Sequence, residues 1–450
     1  MVQEHTGIHG PKGYTLIGSL PRFRREPLST LVNVQREWGD VVRMDLGLER
    51  FYLLSHPEHV EHVLQENAKG YVKGYDKVRV LLGNGLVMNE GESWLRQRRL
   101  MQPAFHRQRL AGFAKTMVEE TERMLEQWEC PASEERALNV AREMTLLTQR
   151  IIVRTMFGFD DVGEERGERI AGAFDTALLG IEARSLMPAW FGRLPLPPNR
   201  RFRRAHATLD EEVYRLIRER RRHERDGEDD LLGMLMEARD EASGEPMGDQ
   251  QLRDEVMTIY LAGHETTANA LSWAWYLLSK NPEAAREVRE EASRVLGGRA
   301  AGSGDPSRLV YTRMVIDEIL RLYPPAWILT REAVEEDGIG EYRIPAGSKL
   351  LISPYVTHHR ADLWENPEGF DPERFAPGNG DERPRYAYYP FGGGQRMCIG
   401  NNFALMEAAL IMSTVTQRYR LDLAPDREVK AQPKTTLAPL PGVWMTVHAV

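Results

Sequence analysis

The feature that most constrains this chain is a glycine-rich stretch of ten residues that holds one of its two cysteines. This cysteine loop runs from Phe391 to Gly400 and reads Phe-Gly-Gly-Gly-Gln-Arg-Met-Cys-Ile-Gly. Three consecutive glycines permit backbone conformations that other residues avoid, so the chain can lie close to a flat object. Cys398 precedes a predicted helix start at Asn401, where free amide groups favour a thiolate. The residues predict a metal-binding cysteine, with a buried cysteine in a glycine turn as the alternative.

The pattern Phe-x-x-Gly-x-Arg-x-Cys-x-Gly resembles the haem-binding loop of the cytochrome P-450 monooxygenases, and the chain matches every fixed position. By this resemblance, Cys398 is the proximal ligand of the haem iron, Arg396 pairs with a haem propionate and Phe391 packs beside the sulfur. A cysteinate ligand pushes electron density onto the iron. The expected cofactor is therefore haem b, which is iron protoporphyrin IX.

Composition limits the remaining possibilities. The chain has 450 residues, 42% of them hydrophobic, which suits one large or two ordinary globular domains. Its net charge of -8 argues against a nucleic-acid partner. Cys130 and Cys398 do not make a disulfide scaffold, which favours a reducing compartment. The N-terminal residues lack the run of ~20 apolar residues that a membrane span needs, so we expect a soluble, cytoplasmic protein without a membrane anchor.

A long helix is the second element that the sequence predicts. It extends from Asp249 to Ser279, with Asp249 as its N-terminal cap and the Asn-Pro pair at 281–282 as its stop. Residues 262–267 in its middle read Ala-Gly-His-Glu-Thr-Thr, and the Thr266 hydroxyl is expected to bond to the carbonyl four residues earlier. A buried helix with satisfied polar side chains would explain this composition without any catalytic role.

The sequence Ala-Gly-x-Glu-Thr-Thr also matches a motif of the same family. By that resemblance, Glu265 and Thr266 are the acid and alcohol pair for oxygen activation, and Ala262 and Gly263 are cofactor-binding positions. His264 lies two residues before the threonine, about 200° around the helix, and so points away from the iron.

A third segment resembles the family at Trp94 and Arg98, which lie one turn apart on a helix predicted for residues 92–106. An indole N–H and a guanidinium could grip one carboxylate, although an exposed polar helix face is the alternative. In the family, the corresponding Trp-x-x-x-Arg donates to the haem propionates. Arg331 matches a further propionate partner.

Two short motifs near the C-terminal third have an expected structural role. Glu318 and Arg321 place opposite charges at i and i+3 on one helix, which alone means little. They resemble the Glu-x-x-Arg of the family, whose partner is the arginine of a later segment, here Arg374 in Pro-Glu-Arg-Phe. The resemblance implies a buried ion triad, which is costly to break because removal of one partner leaves a buried charge.

Together these motifs imply a mainly α fold with small β-sheets, in which haem lies between the long central helix and the cysteine loop. The expected organisation is one catalytic domain over residues 1–450, present as a monomer. Short strands at 41–46 and 51–54 predict a hairpin around Gly47. Further β structure is expected around Tyr355 and in a C-terminal hairpin.

The implied reaction is hydroxylation of a hydrophobic substrate with O₂ and two electrons. By resemblance, the residues that face the substrate pocket are Val87, Ala262, Ala326, Trp327 and Leu437. None is charged, and an apolar pocket suits fatty acids, terpenoids, carotenoids or steroids. The segment 320–330 and the cysteine loop are also similar to those of bacterial carotenoid hydroxylases.

Electron supply and two alternatives complete the interpretation. The chain ends at Val450 without an appended flavin or iron–sulfur segment, so we expect a separate ferredoxin or flavodoxin with its NAD(P)H-dependent reductase. One alternative is a peroxide-driven fatty-acid peroxygenase of the same fold, against which Glu265 and Thr266 argue. The other is a non-catalytic haem sensor or carrier, which would need no proton relay.

Overall fold

The computed structural model describes residues 7–13, 17–47, 49–75, 78–158, 164–184, 192, 194–222, 230–239, 244, 246–425 and 427–450. The chain divides into two compact units. The first unit contains Met1–Gly74 and Asp317–Cys398, and the second contains Tyr75–Ile316 and Ile399–Val450. None of the helices in the described ranges is both long enough and apolar enough to span a membrane.

Helices account for most of the described structure, in agreement with the predicted fold class. They are α1 (Leu20–Arg25), α2 (Pro27–Trp38), α3 (Pro57–Glu61), α4 (Arg79–Leu82), α5 (Gly91–Met101), α6 (Arg107–Gln127), α7 (Glu129–Ser133), α8 (Val140–Phe157), α9 (Glu164–Arg184), α10 (Pro197–Arg222), α11 (Leu231–Glu237), α12 (Asp249–Lys280), α13 (Pro282–Leu296), α14 (Val310–Leu322), α15 (Pro354–His358) and α16 (Asn401–Thr416).

The strands are short and form small sheets. They are β1 (Val41–Leu46), β2 (Glu49–Leu54), β3 (Tyr71–Lys73), β4 (Ala137–Asn139), β5 (Leu329–Ala333), β6 (Asp337–Ile339), β7 (Tyr342–Ile344), β8 (Lys349–Ile352), β9 (Tyr419–Leu423), β10 (Lys430–Pro433), β11 (Leu437–Leu440) and β12 (Trp444–Ala449).

The first unit is organised around a five-stranded sheet with the order β1-β2-β8-β5-β3. β1 and β2 form the predicted antiparallel hairpin, in which Val41 pairs with Leu54. Gly47, directly after β1, has a φ of +72°, a backbone conformation that glycine adopts readily. Side chains from the sheet, from α3 and from Tyr386 and Tyr389 form one buried apolar cluster. The hairpin prediction is therefore confirmed.

The segment around Tyr355 differs from the prediction. It lies in the short helix α15, and the strand β8 ends at Ile352. Ser353 caps this helix, because its hydroxyl accepts a hydrogen bond from the Val356 amide at 3.2 Å, and Pro354 occupies the first helical position. A serine cap followed by proline is a helix-start signal, so the β prediction was wrong for this segment.

The first unit also brings together Glu318, Arg321 and Arg374. Both carboxylate oxygens of Glu318 accept hydrogen bonds from Arg321, at 2.7 and 2.8 Å, and Arg374 Nε donates to the same carboxylate at 3.2 Å. Glu318 and Arg321 are completely buried. Arg321 also donates to the backbone carbonyls of residues 358, 367 and 369. The network therefore joins α14 to the last residue of α15 and to the loop that follows it.

The second unit is built on α12, which packs most extensively against α8. Trp273 and Trp275 of α12 are almost completely buried, and the Trp273 indole donates to the Leu437 carbonyl at 3.0 Å. The C-terminal β10–β11 hairpin is present as predicted, and β12 pairs with β4 and β9 in a separate sheet. This arrangement fixes the C-terminal hairpin against the central helix.

The bounds of α12 agree with the prediction at its C-terminal end within one residue, but the predicted cap was wrong. Gly248 occupies the N-cap position, and Asp249 is the first residue of the helix. A carboxylate in the first turn interacts favourably with the positive end of the helix without capping it. Asp249 instead pairs with Arg221, whose Nη1 lies 3.1 Å from its Oδ2.

We predict that Glu318→Ala destabilises the protein by about 3–5 kcal/mol, because Arg321 would keep a buried charge without its carboxylate partner. The folded fraction and the haem content should both fall. Thermal unfolding followed by circular dichroism, together with haem content after purification, measures these effects. Glu290→Ala is the control, since its ion pair with Arg286 is half exposed and is worth at most about 1 kcal/mol. Equal unfolding midpoints for the two variants would contradict the prediction.

Candidate functional site

The cysteine loop packs directly on other parts of the first unit. Gly392 and Gly394 have φ angles of +70° and +62°. A Cβ on Gly394 would lie 1.9 Å from the Leu64 carbonyl oxygen, and one on Gly393 would lie 2.3 Å from the Tyr386 ring. No side chain fits at either position, so the glycines are explained by packing and conformation within the unit.

Cys398 closes the turn of this loop. Its backbone N–H donates to the Phe391 carbonyl at 3.0 Å, and its side chain is exposed. Neither Cys130 nor Cys398 forms a disulfide. Helix α16 begins at Asn401, as predicted. The loop therefore presents the sulfur outward from a short, hydrogen-bonded turn.

Arg396 anchors the cysteine loop to the segment before β3. Its Nη1 donates to the carbonyl oxygens of Ala68 and Tyr71, each at 2.8 Å. These bonds fix the Arg396 guanidinium against the segment that contains Ala68 and Tyr71. The pairing with a propionate that the resemblance implies stays a prediction.

Arg331 on β5 has the properties of an anion partner. Its side chain is almost completely buried, and its Nη1 donates to the Thr330 carbonyl at 2.8 Å. Its Nε is buried without a hydrogen-bond partner in the described part of the chain. A buried cationic N–H without an acceptor is costly, and a carboxylate would relieve that cost. A thiolate donor and such an arginine in one unit fit a haem with its propionates.

Trp94 and Arg98 lie on one face of α5, as the spacing predicts. Trp94 is buried, and the Arg98 guanidinium carbon lies 5.8 Å from the centre of its ring. The helix ends at Met101 and continues as a 3-10 turn to Phe105, so it is shorter than the predicted range. An indole N–H and a guanidinium so close together suit one acidic ligand.

The middle of α12 shows the predicted threonine bond. Thr266 Oγ1 donates to the Ala262 carbonyl at 2.8 Å, and Ala262 is exposed. A Cβ on Gly263 would lie 2.5 Å from the Ile152 side chain of α8. A Cβ at Gly263 would force the end of the Ile152 side chain to move, so the packing of α8 on α12 favours a small residue there, whatever its role toward a cofactor.

Glu265 has partners that the sequence did not indicate. Thr436, in the turn between β10 and β11, donates to Glu265 Oε1 at 2.5 Å, and Asn269 Nδ2 donates to Thr436 Oγ1 at 2.9 Å. This chain of hydrogen bonds holds the Glu265 carboxylate against the hairpin. No motif or spacing links residues so far apart in sequence.

His264 belongs to the core of the second unit. It is buried, its Nδ1 lies 2.5 Å from the Tyr260 carbonyl, and its ring packs 5.4 Å from that of Phe174. Burial lowers its pKa to about 4, so it is neutral at neutral pH. The residue next to the acid–alcohol pair is therefore a packing residue.

No motif in the sequence indicated a special role for Glu407 on α16. It is completely buried, and neither carboxyl oxygen has a hydrogen-bond partner within the described ranges. Burial raises its pKa well above the ordinary value, and the neighbouring Thr267 hydroxyl offsets this only in part. A single acid in the apolar run of this helix was the available signal.

The residues predicted to face the substrate pocket differ in exposure. In the second unit, Val87 is half-buried, Ala262 is exposed and Leu437 is completely buried. In the first unit, Ala326 is half-buried and Trp327 is buried, with its carbonyl accepting the Ser353 hydroxyl at 2.7 Å. Their contact with a substrate stays a prediction.

Comparison with known proteins places the chain in a family. The family model Cytochrome P450 matches residues 8–445. Cyclooctatin synthase of Streptomyces melanosporofaciens is 39% identical over 95% of this chain and 92% of its own length. Cyclooctat-9-en-7-ol 5-monooxygenase of the same organism is 38% identical, over 92% and 89%. Pentalenene oxygenase of Streptomyces avermitilis is 34% identical over 95% of each chain.

The chain belongs to the cytochrome P450 family. It is a monooxygenase, its cofactor is a haem, and its substrate is hydrophobic. Proteins of this family receive their electrons from redox partners. The predicted family, fold class and reaction class are therefore confirmed.

We predict that Glu407→Gln is more stable than the unchanged protein above pH ~4.3, the ordinary pKa of glutamate. The folded protein keeps the proton on Glu407 while the unfolded chain releases it, so stability falls as pH rises. The difference should grow by about 1.4 kcal/mol per pH unit until the folded-state pKa is reached.

Melting temperatures of both proteins between pH 5 and pH 8 measure this effect. Glu290→Gln is the control, because its carboxylate is exposed and pairs with Arg286 at the surface. A constant difference between the Glu407→Gln protein and the unchanged protein across this range would show that Glu407 is ionised in the folded state.

Proposed function

We propose that this protein hydroxylates a cyclic terpenoid, using O₂ and electrons from a ferredoxin or flavodoxin that is reduced by an NAD(P)H-dependent reductase. The names of two relatives support this substrate class, since cyclooctat-9-en-7-ol and pentalenene are cyclic terpenoids. The observation that carries the mechanism is the pair of ordered side chains at Glu265 and Thr266.

In the first unit, Cys398 is the proposed ligand of the iron in haem b. Phe391 packs beside the sulfur, and Arg396 and Arg331 pair with the propionates. The buried, unpartnered Nε of Arg331 supports its part in this assignment. In the second unit, Trp94 and Arg98 are the proposed further propionate donors, and Ala262 and Gly263 are proposed cofactor contacts.

The haem, when bound, supplies the reductive activation of O₂ and the transfer of one oxygen atom into a C–H bond. The overall reaction consumes two electrons and two protons, and it yields the alcohol and one water molecule. The residues of this chain must therefore deliver two protons to oxygen while excluding bulk water.

Thr266 and Glu265 are the proposed proton-supply residues. The Thr266 hydroxyl donates its hydrogen to the Ala262 carbonyl, which leaves its oxygen lone pairs to accept another hydrogen bond. Thr436 holds Glu265 in one orientation, so the carboxylate does not need to be ordered during the reaction. Glu265 transfers protons from solvent toward the site of reaction. The Thr266 oxygen accepts a hydrogen bond and so orients the group that donates the second proton.

Val87, Ala262, Ala326, Trp327 and Leu437 are the proposed substrate-facing residues. All are apolar, so shape rather than charge would select the substrate. A carotenoid remains the second candidate, because the segment 320–330 resembles that of carotenoid hydroxylases. The monomeric state, the cytoplasmic location and the single-domain organisation stay predictions.

We predict that the purified protein, supplied with NADPH, a ferredoxin and its reductase, hydroxylates pentalenene or cyclooctat-9-en-7-ol. Lauric acid, β-carotene and a steroid complete the panel, and products are measured by mass spectrometry. Cys398→His should lose turnover and shift the ferrous carbon-monoxide absorption band, because an imidazole replaces the thiolate. Cys130→Ser is the matched cysteine control and should change neither property.

The alternatives give different results in the same assay. Turnover of lauric acid with hydrogen peroxide, and none with the redox partners, would identify a peroxygenase. An unchanged carbon-monoxide band in Cys398→His would contradict the ligand assignment. Haem binding without turnover of any panel member under either condition would favour a sensor or carrier.

We predict that Thr266→Ala uncouples electron use from product formation. NADPH consumption should continue, but product per NADPH should fall about tenfold, since the last proton donor is no longer oriented. Hydrogen peroxide per NADPH should rise correspondingly. Both ratios are measured at saturating substrate.

Thr266→Ser is the matched control, because it keeps the hydroxyl and should retain most of the coupling. Glu265→Gln should instead slow the whole cycle by removing an ionisable proton carrier. Normal coupling in Thr266→Ala would mean that another group supplies the proton and that the assignment of Thr266 is wrong.

A further inference from the structure

The loop of residues 83–90, between α4 and α5, lies directly on the N-terminal half of α12. Gly83 has a φ of +58°, and a Cβ there would lie 2.2 Å from the Asp254 carboxylate. A Cβ on Gly85 would lie 2.1 Å from the Thr258 hydroxyl oxygen. The two glycines therefore allow the loop backbone to touch the helix with no side chain between them.

Two buried carboxylates of α12 bind the backbone of this loop. Asp254 Oδ2 accepts the Asn84 N–H at 2.8 Å, and Glu255 Oε2 accepts the Leu86 N–H at 2.9 Å. Asp254 is 3% exposed and Glu255 is 0% exposed. Hydrogen bonds from a backbone amide to a carboxylate are stronger than those to a neutral acceptor.

The other side of the loop is held by side chains of α4 and α5. Gln97 donates to the Asn84 carbonyl at 3.0 Å, and Arg79 Nη2 donates to the Met88 carbonyl at 3.0 Å. Val87 lies between Leu86, whose amide is bound to α12, and Met88, whose carbonyl is bound to α4. Its backbone position is therefore fixed from both sides.

The carboxylate of Asp254 is paired as well as buried. Arg253 Nη1 donates to its Oδ1 at 3.0 Å, and Gln250 Nε2 donates to the same oxygen at 2.9 Å. Arg253 also pairs with Asp210 of α10. These two donors compensate part of the cost of burying the carboxylate, so Asp254 can keep its hydrogen bond to the loop amide.

We propose that Asp254 and Glu255 are positioning residues that hold the 83–90 loop, and with it Val87, in register with α12 and thereby shape the substrate pocket. The proposal rests on the proposed function, in which Val87 faces the substrate. Glu265 lies ten residues after Glu255 on the same helix, a rise of about 15 Å. One rigid helix would thus carry both the proton-supply pair and the attachment of a pocket wall.

The test uses two haem-binding probes that differ in size. Imidazole needs access only to the iron, whereas clotrimazole is bulky and must also fit the walls of the pocket. Glu255→Met removes the acceptor for the Leu86 amide at similar volume. We expect the Kd of clotrimazole to rise about tenfold, the size expected for the loss of one charge-assisted hydrogen bond. The Kd of imidazole should stay unchanged, and Glu255→Gln, which keeps an acceptor oxygen, should restore most of the affinity.

Glu291→Met is the matched control for stability. Glu291 is a buried carboxylate of α13 that accepts the backbone amides of Tyr311 and Thr312, at 2.7 and 2.8 Å. Its loss removes bonds of the same chemistry elsewhere in the second unit. We expect this variant to have a lowered melting temperature but unchanged affinities for both probes.

Two further variants separate the proposal from the function on which it rests. Val87→Ala should change the ratio of clotrimazole to imidazole affinity, because it alters the pocket wall itself. If Val87→Ala has this effect and Glu255→Met behaves as Glu291→Met does, the proposal is wrong while the pocket assignment stands. If Val87→Ala has no effect, both the pocket assignment and the proposal are wrong.

Asp254→Ala provides the same test at the neighbouring attachment, should Glu255→Met not yield folded protein. It removes the acceptor of the Asn84 amide, and Arg253 keeps Asp210 as its partner. We expect a selective loss of clotrimazole affinity. Equal losses for both probes, or no loss for either, would overturn the proposal.

Discussion

The second unit depends on the pairing of polar side chains that α12 buries. This helix has 32 residues, and more than half of them are buried. Its buried polar residues are Arg253, Asp254, Glu255, Thr258, His264, Thr267 and Ser272. Each buried polar group that lacks a partner costs about 1–3 kcal/mol, so partners must be brought to the helix. The segments that supply them are thereby fixed in place.

Several partners of polar residues on α12 come from segments that are distant in sequence, whereas His264 and Ser272 bond to carbonyls of the helix itself. The 83–90 loop supplies backbone amides to the N-terminal half of α12, and Thr436 of the C-terminal hairpin supplies a hydroxyl to Glu265. Trp273 donates in the opposite direction, to the Leu437 carbonyl. The helix therefore holds two loops as well as the motif that contains Glu265 and Thr266, which explains why its polar residues extend well beyond that motif.

The first unit also contains a buried polar group that needs partners, and in this unit the group is a cation. Arg321 is completely buried, and its guanidinium donates to Glu318 and to three backbone carbonyls of residues 358–369. Arg374 adds a second cation to the same carboxylate. Because the loop that contributes the carbonyls has little regular structure, the guanidinium replaces the hydrogen bonds that a sheet or helix would provide.

The sequence predicted those features that depend on local patterns and on short motifs. The hairpin around Gly47 follows from two short strand candidates on either side of a glycine. The C-terminal end of α12 follows from its Asn-Pro stop. Tyr355 was misassigned to β structure, although serine followed by proline is a helix start. Pairing between distant segments, such as Thr436 with Glu265, has no periodicity and could not be predicted.

The glycines show why a motif can be identified correctly and still be explained incompletely. Gly393 and Gly394 were interpreted through their approach to a cofactor, yet within the first unit they are already required by Tyr386 and by the Leu64 carbonyl. Gly263 likewise contacts Ile152 of α8, whose side-chain end would have to move to admit a Cβ. A glycine in a functional motif can thus meet a packing constraint of its own unit. Substitution at such a position would alter the scaffold before it altered the chemistry. Residues such as Thr266 and Glu255, whose side chains can be changed without a backbone clash, therefore give the cleaner separation of fold from function.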